Sequence, residues 1–448
     1  MSAPINLLIL AYSFPPDTEV GALRLGRFAR YLPEYGIRPI VLSVDERHYR
    51  GLDTTFRLPG EVRVERTPVL PNPSNWYKPI KRMLPFAGRA HDRKQFSDAR
   101  REEKQGVGWR DHVKSAFEFP DQDWGWYWPA LKRASEILRK EKIDAILSTS
   151  PPAIDHVIGL KLKERFGLPW ILDFRDPWTE NLLAGDRPEW YTRFSLRLER
   201  QCVLASNLVV CNTDHIRRAF ERQYPELSHD RFVTITNGFE AVEPPPTIPK
   251  TERSPVEILH LGSLYSGRRI DGLGKAVAEL YKNGESVPGA IRFSFLGTVD
   301  PCIRELVEKS TPELLQDGTI RFEDRVEFAE AQRRMWGADI LVLVQGGHTL
   351  QIPAKFYEYL PTGKPMLAIS EPGALTDILN ETGSGAWAAP DDIDAIKAAL
   401  FQVLRMPQKS PAEVSTRFGR FEYRTLTETL ASCVGTVVGS PQLSSLTI

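Results

Sequence analysis

Three charged residues, Asp173, Arg175 and Asp176, are crowded into the run DFRDPW, directly after the apolar residues 170–172. Pro177 stops a strand from continuing, so the charges fall on a defined turn. Unpaired charges would be costly to bury at a strand end. The cluster therefore reads either as an internal Arg–Asp pair that fixes the loop or as a site gripping sugar hydroxyls, a reacting carbon or a helix dipole.

A second run, HLGSLYSGRR at 260–269, offers Gly262, Ser263 and Gly267 ahead of Arg268 and Arg269. Glycine lets backbone amides face a phosphate, and arginine can clamp it with two charged hydrogen bonds. A third run, IPAKFYEYLPTGKP at 352–365, sets Lys355 and Glu358 three apart, on one face of a helix expected to begin near Pro353. A carboxylate near a helix start can accept two hydrogen bonds from a ribose diol. Gly363 ends that helix and Pro365 opens a strand.

Near the start, YSFPPD at 12–17 leads to Gly21 and Arg24 where a strand should give way to a helix. Amides free at such a helix start can receive an anion or a polar substrate group, and Arg24 would add a charged donor. The bland reading is a structural Pro-Pro turn. The run STSPP at 148–152 places Ser148 and Ser150 at another strand end, with His156 shortly after. Its hydroxyls could hold a polar ligand, although a structural role carries more weight.

Several chemistries are missing. GxxxxGK[ST] does not occur, nor GxGxxG followed by a suitable acid, which removes support for a P-loop and for dinucleotide oxidoreduction. Cys202, Cys211, Cys302 and Cys433 form no CxxC pair, and no HExxH is present. The expectation is four reduced thiols, no disulfide framework and no metal site.

The elements that must carry these residues alternate. Strands are expected at Ile5–Ala11, Ile40–Val44, Ala145–Ser148, Trp170–Phe174 and Asn207–Cys211, with helices near Gly21–Tyr35, Ile154–Phe166 and His215–Arg222. After residue 240 the rhythm stops. Residues 241–255 hold five prolines, which suits a stiff linker. It restarts with strands at Val256–Leu261, Ile291–Leu296, Ile340–Val344 and Pro365–Ile369 and helices at Gly272–Asn283, Ile393–Val403 and Ser415–Val434. The fold class is α/β, with parallel sheets covered by helices. The expected domains are 1–245, a linker at 246–255, a second domain at 256–414, and a C-terminal helix with a polar tail at 415–448.

One segment, 75–119, interrupts the first domain without a readable period. From Lys78 to Glu118 it has eleven Lys/Arg against six Asp/Glu, with aromatics such as Trp76, Trp109 and Phe117 interleaved. It reads as a solvated insertion or as a face that touches an anionic membrane or a lipid-linked acceptor.

Across 448 residues, Lys+Arg and Asp+Glu balance at 58 each, and 42% of residues are hydrophobic. Neutrality argues against a dedicated nucleic-acid binder, and the apolar content argues against wholesale disorder. No apolar run approaches a membrane span. The first residues lack a basic segment and pass straight into a strand, so no signal peptide is expected. The expected location is the cytoplasm, at the inner face of the membrane if the basic segment docks there.

Taken in order, FPPD…G…R, STSPP, DFRDPW, LGS…GRR and KFYEYLPTGKP resemble a family 4-type bacterial glycosyltransferase of GT-B architecture. The resemblance implies two facing Rossmann-like domains, the first for the acceptor and the second for a nucleotide-diphosphate sugar, with a C-terminal helix crossing back to the first and no metal or other cofactor. By position it implies Gly21 near the diphosphate, with Gly262 and Ser263 in the donor loop. Arg268 takes the place of the family's phosphate-binding lysine, and Glu358 that of its ribose-holding glutamate. Lys355 falls in the donor motif, with Asp173, Arg175 and Asp176 near the acceptor or transferred sugar. Three positions depart from the family: Ser263 replaces a frequent arginine, Leu350 falls where the first glutamate of an E-x7-E pair would stand, and Arg175 or Asp176 occupies the place of a cleft histidine.

The implied activity is a retaining transfer to a saccharide or lipid-linked saccharide, in polysaccharide or glycan biosynthesis. Arg24, Ser148, Ser150 and His156 are candidates for binding that acceptor. The competing readings are a non-catalytic nucleotide- or glycan-binding module, motivated by Leu350, and a sugar-nucleotide epimerase.

Overall fold

A computed structural model describes residues 4–49, 51–53, 55–71, 108–179, 187–241, 255–265, 267–286 and 289–439. The chain separates into two compact units. One runs to Asn237 and resumes at Tyr423; the other contains Gly238–Glu422.

The first unit is built on seven parallel strands: β1 (Ile5–Leu10), β2 (Ile37–Val44), β3 (Arg63–Thr67), β4 (Ala145–Ser150), β5 (Trp170–Phe174), β6 (Leu208–Cys211) and β7 (Phe232–Thr234). Their order is 3-2-1-4-5-6-7. Leu8 pairs with Ile40 on one side and with Ile146 on the other. Every residue of β4, β5 and β6 is buried. Strands covered on both faces must be apolar throughout, which is why these segments read as unbroken hydrophobic runs.

The second unit repeats the plan with six parallel strands: β8 (Val256–Leu261), β9 (Ile291–Leu296), β10 (Ile320–Glu323), β11 (Ile340–Val344), β12 (Met366–Ile369) and β13 (Gly385–Ala388), in the order 10-9-8-11-12-13. Both sheets reverse direction of growth beside their first strand. In such sheets a crevice opens at the carboxyl ends of the strands flanking the reversal. These are β1 and β4 in one unit, β8 and β11 in the other. The YSFPPD, STSPP and HLGSLYSGRR runs all leave from those ends.

The last helix belongs to the first unit. Tyr423, Leu426, Leu430, Val434 and Val437 recur at spacings of three and four, and they pack with Leu25, Phe28 and Leu32 in one core. The Phe28 and Tyr423 rings meet edge to face at 5.5 Å.

The structure departs from the predicted elements in several places. The expected helix Ser415–Val434 is divided into Pro411–Phe418, a tight turn at Gly419–Phe421, and Tyr423–Gly439. Phe418 and Phe421 join the core of the second unit and Tyr423 that of the first, so one continuous helix could not serve both. The insertion contains a helix, Trp109–Phe117, whose large apolar residues are exposed, so no core-facing period marks it. The rest of that segment, 75–107, lies outside the described residues, as do 242–254 of the proline-rich stretch. Strands β3, β7, β10 and β13 also escape the sequence reading, because three to five residues leave little pattern to read.

Candidate functional site

At the crevice of the first unit the chain leaves β1 through Tyr12. Its backbone N–H donates to Asp155 Oδ2 at 2.8 Å, and its ring stands edge-on to Trp126 at 5.6 Å. Asp155 is fully buried in the first turn of helix Ile154–Phe166. The N–H of Ile154 donates to Asp121 Oδ2 at 2.8 Å, and that of Asp123 to Asp121 Oδ1 at 2.9 Å. Burial raises the Asp155 carboxyl well above the usual carboxylate range. Burial, then the charge of Asp123, lifts Asp121 to about 7. Burial and the Asp123 charge also raise the Tyr12 phenol. None of the three aspartates stands out in sequence. Only Asp121 and Asp123, two apart before the aromatic run WGWYW, leave a trace there.

Arg24 and Asp173 are both buried and held by each other. Arg24 Nη2 lies 2.8 Å from Asp173 Oδ1. Nη2 also donates to the Ile235 carbonyl and Nη1 to the Thr236 carbonyl, each at 2.7 Å. Thr149 Oγ1 donates to Asp173 Oδ2 at 2.8 Å. A single guanidinium thereby ties the first helix to the ends of β4, β5 and β7. The sequence offered Arg24 for acceptor binding and Asp173 for catalysis; the structure places both inside the domain with their polar atoms engaged there.

Ser148 and His156 are likewise buried. Ser148 Oγ lies 2.8 Å from His156 Nδ1 and accepts from Trp170 Nε1 at 3.0 Å. Burial lowers His156 to about 3, so the ring is neutral. Ser150 is buried at the end of β4, and its carbonyl accepts the Arg175 N–H at 3.1 Å.

Arg175 and Asp176 are the more accessible members of the DFRDPW cluster. Arg175 Nε lies 3.6 Å from Asp176 Oδ2, with side chains 16% and 30% exposed. A β-carbon at position 21 would overlap the Arg175 guanidinium. Glycine at 21 therefore lets Arg175 lie across the first turn of helix Val20–Tyr31. Sequence reasoning assigned Gly21 and Arg175 to separate motifs; the fold puts them in contact.

In the second unit, Gly262 follows β8 with φ of 122°, and a β-carbon there would overlap Lys355 Cε. Lys355 thus passes directly over the Gly262 backbone. Arg268 folds over the Tyr265 ring, with its Cζ 4.1 Å from the centroid. Its Nη1 donates to the Ser263 carbonyl at 3.0 Å and its Nη2 to the Tyr265 hydroxyl at 2.8 Å, while its Nε is buried without a hydrogen-bond partner. Burial lowers its pKa from the ordinary arginine value. Among the described residues neither Arg268 nor Lys355 has a carboxylate partner, and Lys355 and Glu358 make no ion pair. His260, at the end of β8, is buried and held neutral, its pKa lowered to about 3 by burial and then by the Lys355 charge. Its Nδ1 lies 3.0 Å from the Val342 carbonyl. Glu358 is half-buried on the short helix Ala354–Tyr359, and Pro353 sits just before that helix as its cap.

Two surface hollows lie apart from these clusters. One, of about 460 Å³, is lined by Thr179, Leu196 and Arg222; the other, of about 640 Å³, by Arg325, Val326 and Phe328. Among the described residues, no three His, Cys, Asp or Glu are grouped so as to hold a metal ion. No described helix is long and apolar enough to cross a membrane.

Residues 89–242 match the model of Glycosyltransferase Family 4. Over 303 residues, 61% of this chain and 69% of the relative, the sequence is 25% identical to a Pseudomonas aeruginosa protein described as "Probable glycosyltransferase WbjE". Among solved structures, Anabaena Alr3699/HepE in complex with UDP and glucose aligns with a TM-score of 0.58 at 13% identity, covering 96% of this chain and 100% of that one. Sucrose-phosphate synthase from Thermosynechococcus elongatus aligns at 0.60 and 13%, covering 97% and 99%. A glycosyltransferase from Rickettsia africae aligns at 0.61 and 12%, covering 98% and 100%. The two parallel sheets with interleaved helices match GT-B glycosyltransferases, and the fold is of that class.

Two predictions follow from the first unit. Arg24→Ala leaves the Asp173 carboxylate buried without its cation, and should lower stability by about 3–5 kcal/mol, read by chemical denaturation. A loss below about 1 kcal/mol would mean that Asp173 is not sealed in. Asp121, with its folded pKa raised to about 7, contributes stability that is complete below its unfolded pKa near 4 and is lost as pH rises through 7. Asp121→Asn removes this dependence. The stability of the variant relative to the native protein should therefore rise between about pH 4 and about pH 7, and a difference that stays flat would refute the raised pKa.

Proposed function

We propose that this chain, a family 4-like glycosyltransferase of the GT-B fold, moves a sugar with retention from a nucleotide-diphosphate sugar to a saccharide or lipid-linked saccharide, in building a cell-surface polysaccharide or glycan. The observation that supports the donor side is the cation pair of the second unit. Arg268 and Lys355 converge on the loop after β8 with no carboxylate among the described residues to neutralise them. A half-buried guanidinium with an unused Nε is costly unless an anion completes it. A diphosphate meets that need, and its negative charge grows as the sugar–phosphate bond breaks. Arg268, Lys355 and the amides of Gly262 and Ser263 would stabilise that charge in a preorganised arrangement, so the reading requires no metal. Glu358 would hold the ribose.

On the acceptor side, Arg175 and Asp176 are the groups proposed to meet the acceptor or the transferred sugar. Arg24, Asp173, Ser148, Ser150 and His156 would act by holding the ends of β4 and β5 in place. The acceptor proton would pass to the departing phosphate, so no strong protein base is needed. UDP is the first nucleotide to test, because the Anabaena protein, of the same fold, was solved in complex with it. The proposed location is the cytoplasmic face of a membrane, where a lipid-linked acceptor would be found.

Titration calorimetry of Arg268→Ala with UDP should show affinity reduced about 10–100-fold, the worth of one charge-assisted clamp. Unchanged affinity would remove Arg268 from the phosphate site. Gly21→Ala should displace the Arg175 guanidinium, the flexible end of a long side chain. Melting should change by no more than a few tenths of a kcal/mol equivalent, while transfer falls by about tenfold or more. Full transfer activity in that variant would rule out a role for the guanidinium position.

A further inference from the structure

We infer that Glu199 is a positioning residue for transfer: through Thr179 it holds the far end of the DFRDPW turn, so that Arg175 and Asp176 are presented by a loop fixed at both ends. The inference deepens the acceptor side of the proposed function, and it rests on that reading for what Arg175 and Asp176 touch.

Glu199 lies within helix Glu189–Ala205 and is 0% exposed. A buried carboxylate is normally matched by a cation. Among the described residues Glu199 forms no ion pair, and nearby arginines are engaged elsewhere: Arg200 with Glu226, and Arg217 with Asp214 and Glu221. Its partners are neutral donors. Oε2 accepts from the Thr179 N–H at 3.1 Å. Oε1 accepts from the Thr179 hydroxyl at 3.1 Å, from Gln223 Nε2 at 3.3 Å and from the Tyr224 hydroxyl at 2.9 Å. Burial raises the pKa of Glu199, and each of these donors opposes that by favouring the charged form.

The type of side chain carries the argument. A glutamate that only filled space would be less stable there than an apolar residue of similar size. What a carboxylate offers is capacity: two oxygens with about four acceptor sites and no donor of its own. Four donors converge on it here, and two of them belong to Thr179. A glutamine would turn an N–H towards one of those donors.

Thr179 lies six residues on from Asp173. The near end of the turn is held at Asp173 by Arg24 and Thr149. The Arg175 N–H donates to the Ser150 carbonyl, and the Arg175 carbonyl accepts from Asn212 Nδ2, each at 3.1 Å. Among the described residues, no backbone hydrogen bond follows until the Thr179 N–H meets Glu199. Asp176 is therefore suspended between those two restraints, with the buried Pro177 limiting the backbone between them. Fixing both ends removes loop conformations before an acceptor arrives, which lowers the ordering cost at the moment of reaction. Thr179 and Glu199 stand 20 positions apart, and neither is marked by a motif.

The test compares Thr179→Val and Glu199→Gln in the full-length protein. Thr179 borders the surface hollow of about 460 Å³, so a valine of the same shape removes the hydroxyl without opening the core. Each variant should speed backbone hydrogen exchange across residues 173–179 by about tenfold or more. In the transfer assay used for Gly21→Ala, kcat/KM for the acceptor should fall by about tenfold, while UDP affinity and the donor KM stay native. The double variant should lose little beyond Glu199→Gln, because both changes act through one contact. A glutamate that only stabilised the domain would lower the melting temperature without separating acceptor from donor parameters. If Glu199→Gln does not fold, Thr179→Val decides alone. Native exchange in a folded Thr179→Val protein would overturn the inference, and so would faster exchange with an unchanged acceptor kcat/KM. Arg175→Ala separates the two readings. Full transfer in that variant removes the acceptor role of Arg175 itself. Lost transfer there, with native transfer in Thr179→Val, removes only the positioning role of Glu199.

Discussion

The buried Arg24–Asp173 pair is the contact on which the candidate acceptor side depends. An ion pair removed from water is stable only when its remaining donors and acceptors are also met. Here they are met by the carbonyls of Ile235 and Thr236 and the hydroxyl of Thr149. Satisfying one guanidinium therefore draws the first helix and the ends of three strands together. The accessible groups follow from that constraint. Arg175, two residues after Asp173, is set across the helix start at Gly21 because Asp173 is fixed beneath it.

The two units use arginine in opposite ways. In the first, the buried guanidinium is neutralised from within, and the polarity left over is acidic: Asp121, Asp123 and Asp155 gather around Tyr12. In the second, Arg268 and Lys355 have no carboxylate partner among the described residues beside the loop after β8. The first arrangement stabilises a scaffold; the second holds charge that an anion would complete. Both lie at the reversal points of doubly wound sheets, so one topological rule positions two different kinds of chemistry.

The distribution of surface character follows the same division of labour. The helix Trp109–Phe117 leads through Phe119, Pro120 and Asp121, which are held to Tyr191 and Ile154, into the crevice of the first unit. The basic excess of the sequence from Lys78 to Glu118 disappears in the average over the whole chain. Neutral composition describes the protein in bulk and says little about one face of it.

The sequence by itself determined the alternation of buried strands and helices, because residues covered on both sides must be apolar whatever surrounds them. Strands such as Trp170–Phe174, Val256–Leu261, Ile291–Leu296 and Ile340–Val344 were legible to the residue. It also marked the strand ends where charged and glycine-rich runs occur. Tertiary structure alone decided which of those charges are available. Asp173 and Arg175 are indistinguishable as neighbours in DFRDPW, yet one is sealed against Arg24 and the other lies against Gly21, because Asp173 still belongs to the buried strand β5 and Arg175 lies past its end. It also brought Asp121 and Asp155 together from 34 positions apart, and divided the C-terminal helix between two cores. Burial and pairing are properties of what folds against a residue, and local sequence does not carry that information.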